Sequence, residues 1–445
     1  MRRCAIILFV LIAALPFLLM WGRRPAPDSA ERATTGATET LVVISPHRRE
    51  VRQEYSRGFA NWMRQREGRR VDIQWLDVGG ASKILKELES RFGTSPDHPG
   101  VDLLFGGGVA PFLTAVQKNW LQPWEPPAGT LDDIPATCAG SPVYDPGHRW
   151  FGVTLSGFGI LYNRPLLKRL GLPEPVSWEL LAHPAFCSWI GSGDPRSSGS
   201  VHMCYEIILQ AYGYEKGWPV IARICANVRT FGEAGGTVPR EVASGDIVAG
   251  MVIDQYAQTV IQSVGDESLA LVLPRQQTVI SPDAIALLRG APHAALAGLF
   301  MEYTLSRDGQ RLLYQPGSVN GQRHTLYRMP VMKSLYREAN APQPNPYDYS
   351  GGLAYDNELA TRRWNLLNDL MGVWLIDAHA DLQSAWKTLI ARGASPERFA
   401  ALCAPPVTEK ELEALAKKWN DPRLRQEIMQ SWSLSARARY ESSKH

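Results

Sequence analysis

The chain has 445 residues, 45% of them hydrophobic and 20% charged, a composition that excludes global disorder and leaves room for two or three domains with sizeable cores. The formal net charge is +3, but the first 24 residues carry four arginines and no acid, and without them the remainder is −1. Nothing in that balance suggests the clustered basic face that a nucleic-acid groove needs.

Arg2 and Arg3 precede an apolar run from Ala5 to about Trp21, the order of an export signal. The run is slightly long for a signal and slightly short for a membrane span. Gly22-Arg23-Arg24-Pro25 follows it without a small-x-small cleavage site. Residues 1–24 are therefore expected to be a signal peptide or an N-terminal membrane anchor, and the small, polar residues 25–40 a linker. Arginines flank both ends, so charge does not set the orientation. Cys4 lies before the run and cannot be a lipoprotein acceptor after it. Five more cysteines follow, with no CxxC; in an oxidising compartment an odd number leaves at least one thiol free. Buried thiols are the leading reading, and one disulfide among Cys138, Cys187, Cys204 and Cys225 is the other.

From residue 41 the pattern alternates. Leu-Val-Val-Ile at 41–44 is a fully apolar run, expected as a buried strand of a parallel sheet. Tyr55, Phe59, Trp62 and Met63 recur at helical spacing. Val-Asp-Ile-Gln-Trp at 71–75 reads as a strand. Gly79, Gly80, Ala81 and Ser82 open a helix with Ile84, Leu85 and Leu88 on its apolar face. A third strand at 101–105 ends in Gly106-Gly107-Gly108. Such strand–helix alternation indicates βαβ units.

Residues 150–163 are a long strand-like crossing. The middle section repeats the theme: a strand at 188–190, a Gly/Ser-rich turn to Ser200, and a helix through Cys204, Ile207 and Ile208. A strand follows at 228–231, then a helix after Gly235 and Gly236, and a strand at 246–253 ending in Asp254-Gln255-Tyr256. The chain returns through 269–273 and a second crossing at 280–292, before a helix at 294–305. Beyond about Pro330 the character changes. A breaker-rich loop at 341–346 leads to a mainly helical stretch, 353–440, with a cap-like Thr408-Glu-Lys-Glu411. These helices are expected to pack on the preceding part and not to form a third catalytic domain.

In this order, the strand at 41–47, the turn at 79–82, the loop at 102–108, the first crossing, the turn at 194–200 and the segment 281–310 resemble the type II periplasmic solute-binding proteins of ABC importers, in the branch of ferric-ion and phosphonate binding proteins. The resemblance covers roughly 41–330; its strength lies in the ordered set and not in any one motif. It implies an α/β fold of two lobes joined by two crossover hinge strands. Lobe 1 would be 41–155 and 282–330, lobe 2 would be 156–281, and 331–445 a C-terminal helical extension packed on the lobes. It also implies delivery of the solute to a two-subunit permease with a cytoplasmic ATPase.

In open parallel sheets, ligands sit beyond the carboxyl ends of strands. The Gly/Ser turns fall at such ends, where a helix start offers free N–H groups and a positive dipole end. The expected ligand-binding residues are Ser45, His47, Gly79, Gly80, Ala81, Ser82, Gly107, Ser156, Ser198, Gly199, Ser200, Asp254 and Tyr256. For any single turn, tight chain reversal is the plainer reading. In ferric-binding relatives, a histidine near position 47 and two adjacent tyrosines hold iron. Here Tyr256 is followed by Ala257, which weakens that reading, since ferric iron favours phenolate and carboxylate oxygen. His47, Asp254 and Tyr256 remain as a smaller alternative metal set. His202 with Glu206, and Asp377 with Asp381, share helix faces; an ordinary solvated or half-buried face is the expectation for each pair. No P-loop, nucleophile elbow or Ser/His/Asp set stands out.

The leading expectation is a non-enzymatic, extracytoplasmic substrate-binding component of an ABC transporter, in the periplasm or on the outer face of the cytoplasmic membrane. It would capture an oxyanion-bearing organic molecule or ferric ion by hinge closure. It would be a monomer with no resident cofactor, ferric ion being at most its cargo. Its partners would be a small-molecule ligand, the permease, and the membrane if the N-terminus is uncleaved, with no nucleic acid. An envelope ligand sensor is the first alternative and a metal-dependent hydrolase on the same fold the second.

Overall fold

The computed structural model describes residues 37–444 apart from 234, 339–343, 350 and 351. The expected signal or anchor, most of the linker and part of the loop at 341–346 lie outside the described residues. Among the described residues, no helix is long and apolar enough to cross a membrane.

The principal strands are β1 (Glu39–Ile44), β2 (Val71–Leu76), β3 (Leu103–Phe105), β4 (Phe151–Asn163), β5 (Ile190–Gly193), β6 (Val228–Gly232), β7 (Ala249–Ile253), β8 (Leu269–Val272) and β9 (Ile280–Leu288). The helices that matter for the site are α1 (Arg49–Glu67), α2 (Ala81–Thr94), α3 (Ala110–Gln117), α4 (Gly199–Asn227), α5 (Thr237–Ser244), α6 (Asp254–Val264), α7 (Ala294–Leu305) and, beyond the last long strand, α8 (Asn357–Met371), α9 (His379–Ala391) and α10 (Pro422–Ser443).

Hydrogen-bonded strands follow the order β2-β1-β3-β9-β4-β7-β5-β6, with β8 also on β4. β1 runs parallel to β2 and β3, and β5 parallel to β6 and β7. β4 and β9 lie between these two parallel sets. The first half of β4 pairs antiparallel with β9, Ser156 opposite Ser281 and Gly157 opposite Ile280. Its second half, from Phe158, pairs with β7 and β8. The chain thus leaves one sheet and enters the other at the Gly157–Phe158 step.

Side-chain alternation explains the layering. In β1, Leu41 and Val43 enter one apolar core while Ile44 enters another; in β3, Leu103 and Phe105 point one way and Leu104 the other. A strand with both faces covered must be apolar at every position, as these short runs are. Helix α1 buries Val51, Tyr55, Phe59 and Met63, a stripe at helical spacing.

Two expectations need correction. The glycine run after Trp189 is not turn but strand: β5 is Ile190–Gly193. Its glycines admit close packing, since a Cβ on Gly191 would lie 2.2 Å from the Ile247 side chain. His202 and Glu206 are not on a solvated face; both are fully buried. The C-terminal helices cover them, and Leu366, Leu367, Leu370, Trp374 and Trp386 share one core with Trp178, Tyr205 and Trp218. The Thr408–Glu411 capping box is formed. The cysteines from Cys138 onward are free thiols, four buried and Cys187 half-buried.

Candidate functional site

Between the two parallel sets lies a cleft of about 300 Å³. Its walls come from the carboxyl ends of strands and the helix starts that follow them. β1 ends at Ile44, and Ser45 to Arg48 turn the chain into α1. The His47 ring is anchored at both nitrogens: Nδ1 lies 3.1 Å from Ser45 Oγ and Nε2 lies 2.9 Å from Asp283 Oδ2. A neutral ring fits this network, with Nε2–H donating to the carboxylate and Nδ1 accepting from the serine. Burial lowers the His47 pKa, against the opposing pull of Asp283. Gly106 makes room for the ring: its φ is +91°, and a Cβ there would lie 2.6 Å from His47 Cε1.

Asp283 organises the floor. One oxygen accepts the hydrogen bond from His47 Nε2–H and lies 3.2 Å from Arg328 Nη1; the other accepts the Gly108 N–H at 2.9 Å. Burial alone would raise its pKa. His47, Arg328 and the Gly108 N–H outweigh burial and hold the carboxyl far below its usual range.

The opposite wall is built from α4 and α6. Ser198 caps α4 without a side-chain cap bond, and the first intrahelical bond there is His202 N to Ser198 O. The N–H groups of Gly199, Ser200 and Val201 precede it and so have no intrahelical partner. The Ser198 and Ser200 hydroxyls lie 3.2 Å apart beside them. In α6, Asp254 accepts the Gly157 N–H at 3.0 Å and the Gln255 N–H at 2.6 Å, which ties the helix start to the crossing strand. Burial raises the Asp254 pKa to about 7 against the lowering effect of those two N–H groups. Gln255 is buried in the cleft lining, and its Oε1 has no hydrogen-bond partner among the described residues.

Of the expected binding residues, His47, Ala81, Gly107, Ser156, Ser198, Gly199, Ser200 and Tyr256 line this cleft together. Ser45 and Asp254 do not; they stand behind the lining, holding His47 and Gly157. Gly79, Gly80 and Ser82 are also outside it. Each helical residue turns about 100° from the last; Ala81 lines both this cleft and a second, larger cavity, whereas Ser82 lines the second and not the cleft. A Cβ on Gly80 would still lie 3.8 Å from the Ser197 carbonyl oxygen, which puts the two rims close together at the mouth.

Asp283, Arg328, Gln255 and a group from the C-terminal segment, Tyr355, Asn357 and Trp364, line the cleft unforeseen. Asp283 had one signal: the one charged residue inside the mostly apolar run of β9. The alternative metal set does not converge as free ligands, because both His47 nitrogens and both Asp254 oxygens already have protein partners. Among the described residues, no group of three or more His, Cys, Asp or Glu is placed to hold a metal ion.

Residues 99–320 match the model of a family described as bacterial extracellular solute-binding protein. The chain belongs to the extracellular solute-binding proteins. This solute-binding protein is 27% identical over 289 residues to the phosphoglycerate transport regulatory protein PgtC of Salmonella typhimurium, covering 63% of this chain and 69% of that one. It is 25% identical over 253 residues to an uncharacterized protein of Haemophilus influenzae, covering 56% and 70%. Its fold is that of the periplasmic binding protein P5PA (TM-score 0.60, 20% identity, 76% of this chain and 99% of that one). The same fold occurs in AfuA from Actinobacillus pleuropneumoniae, with exogenous fructose-6-phosphate bound (TM-score 0.57, 18% identity, 74% and 98%). It occurs again in iron-bound HitA from Pseudomonas aeruginosa (TM-score 0.53, 18% identity, 73% and 99%). The two-lobed α/β architecture and a substrate-binding role in transport follow for this solute-binding protein.

Proposed function

We propose that this protein is the extracytoplasmic receptor for a small phosphorylated organic solute, which it holds in the cleft between its lobes and delivers to an ABC permease with a cytoplasmic ATPase. The observation that carries this reading is the convergence of helix starts on one cleft. The N-termini of α2 and α3 approach from one side, those of α4 and α6 from the other, and those of α2, α3 and α4 lack side-chain caps. Helix starts offer N–H donors and partial positive charge to an anion. Arg48, Ser198 and Ser200 add donors on the same surface. His47, Gly107, Ser156 and Tyr256 complete the proposed contact set, with β4 and β9 as the hinge. Relatives support the class: one is named for phosphoglycerate transport, and a structural neighbour was solved with fructose-6-phosphate.

The test is calorimetric titration with 3-phosphoglycerate, fructose 6-phosphate, inorganic phosphate and ferric citrate. Binding of an organic phosphate is expected. Saturable binding of ferric citrate alone, abolished by His47→Ala and Tyr256→Phe, would restore the iron reading. A second reading, an envelope sensor, is favoured by one observation: the Salmonella relative is named a transport regulatory protein. It would keep residues 1–24 as an anchor at the outer face of the membrane. Mass spectrometry of the protein from membranes decides between the retained anchor and a cleaved periplasmic form.

A further inference from the structure

One wall of the cleft comes from the C-terminal segment. Helix α8 (Asn357–Met371) lies beyond the 99–320 stretch that the family match covers. Asn357, Ala360 and Trp364 line the cleft. They fall three and four residues apart, so they form one stripe on the helix. The other side of α8 is buried in the core beneath α4 through Leu366, Leu367 and Leu370. The helix is fixed in place by more than apolar packing. Arg363 makes a two-pronged buried ion pair with Glu206 of α4, at 2.6 and 3.0 Å. Asn368 meets His202 Nδ1 at 2.7 Å. The wall is therefore fixed to the α4 side of the cleft, and it also packs against α3 of the other side.

Trp364 sits where it matters most for an anion. Its ring stacks on His202, centroids 3.5 Å apart. A Cβ on Gly199 would lie 3.9 Å from the outer carbons of the indole. The indole is thus an apolar plate beside the first turn of α4, whose N–H groups have no intrahelical partner. Burial leaves His202 neutral, with its pKa lowered to about 4, so the ring stacked behind the plate carries no charge. A phosphate group alone has no surface to offer such a ring. A phosphate ester with several carbons does, because apolar contact area is what an aromatic side chain rewards.

We propose that α8 is a third wall of the solute site and that Trp364 is a specificity-determining residue, packing on the carbon skeleton of an organic phosphate whose anionic end sits on the first turn of α4. This inference rests on the anionic-solute reading above.

The experiment is calorimetry on the whole chain with 3-phosphoglycerate, fructose 6-phosphate, inorganic phosphate and ferric citrate, for the wild type, Trp364→Ala, Trp364→Phe and Arg48→Ala, with thermal melts run beside it. Trp364→Ala is expected to weaken the organic phosphates by about tenfold and to leave inorganic phosphate within about twofold. Trp364→Phe keeps a smaller ring and is expected to lose about threefold, which scores the proposal even where the alanine variant melts early. Arg48→Ala should weaken all three phosphates alike. Organic phosphates that bind Trp364→Ala as they bind the wild type would overturn the third wall while leaving the function reading standing. A wild type that takes ferric citrate and no phosphate would overturn both.

Discussion

The guanidinium carbon of Arg48 lies 4.5 Å from the centroid of the Tyr256 ring. Arg48 follows β1 on one side of the cleft and Tyr256 belongs to α6 on the other, so this contact spans the opening. It places a cation over an aromatic face at an exposed site, where such contacts contribute about 0.5–1 kcal/mol. Arg48→Ala is expected to lower affinity for an anionic solute by about five- to tenfold, because it removes a donor and a bridge between the walls. Tyr256→Phe keeps the ring under Arg48 and should cost no more than one hydrogen bond, about 1 kcal/mol. Calorimetric titration with 3-phosphoglycerate measures both; equal losses in the two variants would count against the bridge.

Asp254 makes stability depend on pH. Burial raises its pKa to about 7 in the folded chain, against about 3.9 unfolded. Between those values the native state holds a proton that the unfolded state has released, so its contribution falls as pH rises and is constant above about 7. His47 and His202, both lowered by burial, act in the opposite direction, since the unfolded chain takes up their protons first below about 6.5. The difference between Asp254→Asn and the wild type isolates the carboxyl. It should grow in favour of the variant by about 1.4 kcal/mol per pH unit from about 4 to 7. Urea unfolding at pH 5 and pH 8 checks this, and a pH-independent difference would refute it.

The Glu206–Arg363 pair is buried at both ends. Arg363→Ala would leave a carboxylate unpaired in the core and is expected to destabilise the fold by about 3–5 kcal/mol. Glu206→Leu combined with Arg363→Met fills the same space without charge and should recover most of that loss. Chemical denaturation of the two variants settles it. A double variant as unstable as the single one would show that the pair does more than neutralise itself.

Gly235 closes the serine rim from above. A Cβ there would lie 2.8 Å from Ser200 Oγ, 3.1 Å from Tyr256 Cε2 and 3.2 Å from Ser198 Oγ. Gly235→Ala should therefore push aside both hydroxyls and reduce solute affinity by about tenfold. Global stability should change by less than about 1 kcal/mol, since the clash falls on side-chain ends that have room to turn. Parallel melting and titration curves separate the two effects.

Local pattern determined the elements of this protein. The apolar runs of β1 and β3, the helical spacing of Tyr55, Phe59 and Met63, and the glycine and serine turns at strand ends follow from chain periodicity and conformational preference, which neighbouring residues set. The order of those elements was enough to suggest a two-lobed fold. It also pointed to His47, Gly107, Ser156, Ser198, Ser200 and Tyr256, because helix starts after strands are where such folds bind.

Only the tertiary structure decided which side chains share the cleft floor and what surrounds them. His47, Asp283 and Arg328 meet across 236 and 45 residues of chain, and no local spacing encodes that meeting. Ser82 and Ala81 are neighbours, yet Ala81 reaches the cleft while Ser82 lines only the adjoining cavity. His202 and Glu206 carry the composition of a solvated face, but α8 arrives from about 160 residues away to bury them. The same helix brings Trp364 to the first turn of α4. Burial and pairing depend on what the rest of the chain packs against a residue, and that is a property of the folded whole.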